Sequence, residues 1–265
     1  MGIQGVNLRE QRIGEKKYNK EGSLMEIVGY RSRLDIDVKF LDQYEYVTHT
    51  NYPHFSKGEV HNPYAPTTYG KGFLGAKYPT RRDNKPAKEV VSWRSMLNRC
   101  FNETIKENQP TYLLAKCCEE WLNYENFYEW LHSQDNFNQW FQGNRWAVEK
   151  DIIGGKGNKL YSPNTCCLVP QYINCLFTKN DVTRGELPIG VLYMNNHKKP
   201  YIARCNTNEG FKTIGMYSTS EEAFQAYKNY KETLIKKTAE EAYSKGEITK
   251  HCYDAMINYK VEITD

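Results

Sequence analysis

The spacing of apolar residues changes three times along this 265-residue chain, from two to three or four, back to two and again to three or four, so neither an all-helical nor an all-strand architecture can accommodate it. From Leu34 to Phe40 the apolar Leu34, Ile36, Val38 and Phe40 alternate with Asp35, Asp37 and Lys39, which predicts a half-buried strand. A turn at Leu41-Asp42-Gln43 leads to a second strand over 44–49, and the β module starts near Leu24. Val90, Trp93, Leu97 and Cys100 or Phe101 then recur at helical steps, followed by a second helix near 117–132 bearing Trp121, Tyr124, Phe127 or Tyr128, and Leu131. Period two returns in three short strands over 188–193, 201–206 and 211–217. A long helix follows, with Ser220 as N-cap and Glu221 and Glu222 in its first turn, and a last helix spans about 248–259. The fold class is α+β.

Between these segments lies punctuation. Pro53, Gly58, Pro63, Pro66, Gly70, Gly72, Gly75, Pro79 and Pro86 exclude a long helix and predict loops and short strands. Residues 1–23 read as a loose arm, 24–87 as a β-rich module, 88–180 as a helical platform with a central module, and 181–265 as a sheet-plus-helix module. The charged stretch TKNDVTRGE before Pro188 reads as the linker into the last of these.

Charge is distributed unevenly. The net +4 is too small to indicate a nucleic-acid partner, but residues 1–99 carry 17 Lys/Arg against 11 Asp/Glu while residues 100–150 carry 4 against 8. Arg81, Arg82, Lys85 and Lys88 form a basic cluster that reads equally as a phosphate contact or a solvated linker. No apolar run reaches the roughly 20 residues that cross a bilayer and MGIQGVNLRE lacks a secretory core, so the expectation is a cytoplasmic protein without a membrane partner. The eight cysteines include no C-x-x-C, and reduced core thiols are expected over a metal site.

The stretch WAVEKDIIGGKGNKLYSPNTCCLVPQYIN, residues 146–174, resembles the ββα-metal core of HNH nucleases. A strand over 147–152, a Gly157-Asn158-Lys159 loop and a helical Asn174 follow that pattern, with Lys150-Asp151 where the family has Asp-His. The resemblance implies that Asp151 and Asn174 are the catalytic and metal-binding positions and that magnesium is the cofactor of an active site. An aspartate with an ordinary pKa of about 4 is a weak general base at neutral pH, so three readings stay open: a degenerate fold kept for DNA binding, an active nuclease, or a turn-rich structural segment. His49, His54 and His61 are the nearest group of substitute histidines.

Residues 188–231 resemble the APETALA/ethylene-response-factor (ERF) DNA-binding domain. Gly190-Val191, Tyr201-Ile202-Ala203, Ile214-Gly215-Met216-Tyr217, Ser220-Glu221-Glu222-Ala223 and Ala226-Tyr227 carry the likeness. In that family the sheet lies across the major groove, which implies base reading by Arg204, phosphate contacts by Lys198, Lys199 and Lys212, and packing on the DNA by Tyr193 and Tyr201. Together the two resemblances point to phage-encoded HNH-endonuclease-like proteins with a C-terminal ERF-type domain. The expected function is binding of double-stranded DNA with a degenerate nuclease centre. The alternatives are an active HNH-type homing or nicking endonuclease, and a phage protein that binds a host protein.

Overall fold

The computed structural model describes residues 11–155, 157–178 and 186–263. The first ten residues of the expected arm and most of the expected linker, residues 179–185, lie outside them. The chain divides into two compact units, Met1–Ile105 with Glu119–Tyr128, and Lys106–Cys118 with Glu129–Asp265, and both helices and sheets occur, as the α+β class requires.

The first unit is built on an antiparallel meander of β1 (Lys16–Tyr18), β2 (Leu24–Ser32), β3 (Asp35–Phe40) and β4 (Val47–Thr50). Alternation sends Met25 and Ile27 of β2 and Ile36, Val38 and Phe40 of β3 to one face, where they bury against Phe55 and Val60. Phe55 comes from α1 (Tyr52–Lys57), a one-and-a-half-turn helix inside the Pro/Gly-rich stretch. Asn51 caps its start by accepting from the His54 N–H, and Gly58, at φ 68°, ends it. Strand β1 falls in the segment read as arm; it pairs in register with β2 although its side chains are exposed.

A two-rung ladder, β5 (Arg81–Arg82) and β6 (Lys85–Pro86), leads into α2 (Lys88–Phe101), whose Val90, Trp93, Met96, Leu97 and Cys100 are buried. Gly72 lies so close to this face that a Cβ there would come within 2.4 Å of Leu97 Cδ1. Of the basic cluster, Arg82 is committed to structure: its guanidinium grips the fully buried Glu89 carboxylate through two bonds of 2.6 and 2.7 Å. Helix α3 (Glu103–Asn108) follows, and a parallel rung joins β7 (Lys116–Cys117) to a strand further along the chain. The single helix expected near 117–132 is two pieces, a 3-10 turn over Glu119–Leu122 and α4 (Tyr124–His132), separated at Asn123, whose side chain accepts from the Glu125 N–H.

In the second unit, α5 (Phe137–Gln142) precedes an antiparallel pair, β8 (Trp146–Glu149) and β10 (Cys167–Pro170), with β9 (Leu160–Tyr161) on β7. Helix α6 (Gln171–Phe177) follows β10 directly. The C-terminal sheet runs β11 (Val191–Tyr193), β12 (Tyr201–Thr207), β13 (Gly210–Tyr217), and the chain closes with α7 (Ser220–Ser244) and α8 (Lys250–Ile257). Thr219, not Ser220, caps α7, accepting from the Glu222 N–H, because the cap residue must stay extended while Ser220 is already helical.

Helix α7 serves two cores. Ala223, Phe224 and Tyr227 in its first half pack on Val191, Ala203 and Cys205 of the sheet. Ile235, Ala239 and Ala242 in its second half, with Cys252 and Met256 of α8, pack on Ile152, Cys167, Val169, Ile173, Leu176 and Phe177 of the central module. Asn136 ties the same region together, donating to the carbonyls of Leu168 and Glu247. Among the described residues no helix is long and apolar enough to cross a membrane.

Candidate nucleic-acid interface and central loop

The register of the C-terminal sheet decides which candidate side chains share a surface. Val191, Ala203 and Cys205 face α7, so by strand alternation the row Leu192, Ile202 and Met216 faces away from it, as do Arg204 with Thr213 and Asn206 with Phe211. Arg204 therefore lies on the open face, its guanidinium 4.5 Å from the centre of the Phe211 ring, and among the described residues its N–H groups have no hydrogen-bond acceptor. Lys198 and Lys199 are exposed in the turn between β11 and β12.

The other three candidates belong to the helix side. Tyr201 packs on the core beneath α7, Tyr193 pairs with it in register at a ring separation of 5.3 Å, and Lys212 lies opposite Cys205 with its ammonium over the Tyr230 ring of α7. The structure thus brings Arg204 and Phe211 together on the open face, and separates both from Tyr201 and Lys212. The exposed Phe211, which the resemblance did not single out, is the aromatic partner on that face. Its signal was available: it stands two residues from Thr213 on an outward-facing strand position.

The central module has the order strand, loop, strand, helix. Asn158 holds the loop shut, its amide donating to the carbonyls of Lys150 and Leu160 while its oxygen accepts from the Leu160 N–H. Gly154 must lack a side chain here, since a Cβ would come within 2.3 Å of Asn158 Nδ2. The SPNT turn is fastened by Thr165, whose hydroxyl donates to Leu160 O and meets the Ser162 hydroxyl at 2.9 Å.

Among the described residues, no hydrogen bond or ion pair brings the two predicted catalytic positions together. The Asp151 carboxylate is taken by the buried Lys150 ammonium at 2.5 Å, and no hydrogen bond joins Asp151 to Asn174, whose backbone carbonyl accepts from Thr178. A divalent cation placed on Asp151 would meet the positive charge of Lys150, so these residues do not suit magnesium. Among the described residues no group of three His, Cys, Asp or Glu is placed to hold a metal. The histidines are dispersed: His49 pairs with Asp37 at 3.2 Å, His61 with Glu21 at 2.6 Å, and His54 meets Asn51. Cys100, Cys166, Cys167, Cys205 and Cys252 are buried, whereas Cys175 is exposed.

A group that sequence reasoning missed is Glu149, on β8 opposite Cys167. Its carboxylate accepts from the N–H groups of Lys150 and Asp151 at 2.9 and 2.7 Å, while burial, reinforced by the nearby Asp151 charge, raises its pKa to about 7. No family model, curated protein or solved structure matches the chain.

Proposed function

We propose that this chain binds double-stranded DNA through the open face of β11–β13 and the lysine-bearing turn beside it, and that its HNH-like centre is a scaffold that does not cut. Arg204 carries the proposal: a guanidinium steadied over Phe211, on the sheet face turned away from α7, with donors free, among the described residues, for the acceptors of a base edge or phosphate. Lys198 and Lys199 supply positive charge at the rim, suited to phosphate contact. For the central module, the Lys150–Asp151 pair supports the degenerate reading, because it consumes the carboxylate that would replace the family's histidine.

The test is gel-shift titration of a random duplex at two salt concentrations. Arg204→Ala is expected to weaken binding by about 1–3 kcal/mol if it reads bases, and Lys198→Ala with Lys199→Ala to reduce the salt slope by nearly one unit per lost contact. Unchanged affinity in all three substitutions would refute sheet-mediated recognition. Supercoiled plasmid should remain un-nicked with magnesium or manganese; cleavage abolished by Asp151→Ala or Asn174→Ala would establish the active-nuclease reading instead.

A second reading, a protein partner, draws on the same face. Leu192, Phe211 and Met216 are exposed there, and apolar clusters of this kind occur at protein interfaces. Absence of duplex binding at low salt favours it.

A further inference from the structure

Lys231 stands on the buried side of α7, four residues after Tyr227 and four before Ile235, and is only 7% exposed. Among the described residues no hydrogen bond or ion pair engages its ammonium. The nearby Cys205 thiol, whose pKa burial raises, is neutral and offers no counter-charge. An ammonium withdrawn from water without an anion is costly, and here burial lowers its pKa accordingly.

The side chain is not wholly enclosed by the core. It lines a cavity of about 610 Å³ at the edge of β12, where β11 ends, and that volume falls within the roughly 300–1,000 Å³ of small-molecule sites. Arg204 lines the same cavity, with Phe211 beneath its guanidinium, Asn206 beside it and Tyr227 from α7. Two cations and no Asp or Glu line it among the described residues. Such a site fits an anion joined to a flat apolar body: the lysine neutralises the anion, the exposed Phe211 ring stacks on the body, and the asparagine amide offers both a donor and an acceptor to its polar edge.

We propose that this cavity binds a nucleoside monophosphate group, with the phosphate on Lys231 and the base against Phe211, whose side chain is 71% exposed. The site is distinct from groove binding and does not rest on it, although Arg204 belongs to both. The same chemistry is presented by a free mononucleotide and by the 5′-phosphorylated end of a strand.

Calorimetric titration of the full chain with thymidine 5′-monophosphate, thymidine and inorganic phosphate tests the proposal. The monophosphate should bind at least about tenfold tighter than either part, as expected when two subsites act together. Lys231→Met should weaken it roughly 30-fold or more, the scale of removing one partner of a buried charge pair, yet unfold cooperatively at or above the wild-type Tm because an unpaired ammonium has been replaced by an apolar chain. Phe211→Ala, at a side chain 71% exposed and therefore dispensable to the core, should weaken it roughly fivefold or more through lost stacking. Failure of the monophosphate to bind at millimolar concentration, equal binding of thymidine or of phosphate, or unchanged binding in both variants would overturn the site. A trinucleotide that displaces the monophosphate only when 5′-phosphorylated assigns the site to strand ends; displacement by neither form assigns it to free nucleotide, and equal displacement by both overturns the role of the phosphate. Duplex gel shifts with Lys231→Met should match wild type, which keeps this result separate from that for the sheet face.

Discussion

Glu149→Gln should convert a pH-dependent stability into a flatter one. In the folded chain burial raises the Glu149 carboxyl from its ordinary 4.5 to about 7, so the native state holds a proton there that the unfolded chain releases. Between those values the native state binds more protons, and stability must fall as pH rises. Integrated over the window, the loss approaches about 3 kcal/mol at pH 8 and is absent below pH 4. Glutamine keeps the oxygen that accepts from the Lys150 and Asp151 N–H groups while removing the ionisation. Urea unfolding of both proteins from pH 4.5 to 8 measures the effect, with the glutamine variant gaining on wild type as pH rises. A stability difference that stays constant across this range, or runs the other way, would refute the argument; the latter would mean that Lys150 outweighs burial in setting the charge of Glu149.

Arg82→Met should destabilise the first unit by about 3 kcal/mol, since it removes the bidentate partner of a fully buried carboxylate, and adding Glu89→Met should recover most of the loss; urea unfolding of the single and double variants decides, and equal losses would refute the pairing. A fragment beginning at Glu186 should fail to unfold cooperatively, while one beginning at Lys106 should unfold cooperatively, because the second half of α7 packs on the central module. Calorimetry of the two fragments checks this, and cooperative melting of the shorter one would refute it.

What the sequence made legible was whatever carried a clean apolar period. Strand β3 alternates because one face is buried and the other solvated, and α2 shows its helical stripe because Val90, Trp93, Leu97 and Cys100 all enter one core. Strand β1 was invisible for the converse reason: Lys16, Lys17 and Tyr18 are all exposed on an edge, so pairing with β2 leaves no apolar signature. Helix α1 had its signals, Asn51 before Pro53 and Gly58 at the end, but they were dispersed among the turn-forming residues of the same stretch. The aromatic stripe from Trp121 to Leu131 concealed a break because a 3-10 turn followed by an α-helix delivers Trp121, Tyr124 and Phe127 to buried positions at nearly the spacing of one continuous helix.

For the candidate site, residue type was legible and side was not. Arg204 and Tyr201 lie three residues apart on one strand, so alternation alone requires opposite faces, yet a match of residue types to a family pattern assigned both to one surface. Lys231 was hidden differently. Its spacing from Tyr227 and Ile235 puts it on the apolar face of α7, where a lysine conflicts with the local pattern. Such a conflict is tolerable only if the ammonium reaches solvent, a counter-charge or a ligand, and the cavity at the edge of β12 supplies an opening without supplying the counter-charge. The same helix fastens the sheet to the central module through its second half, so the backbone on which Lys231 stands is fixed by two cores at once. A charge held on an element so constrained cannot escape by local unwinding, which is why its replacement by methionine should raise stability while removing whatever the cavity binds.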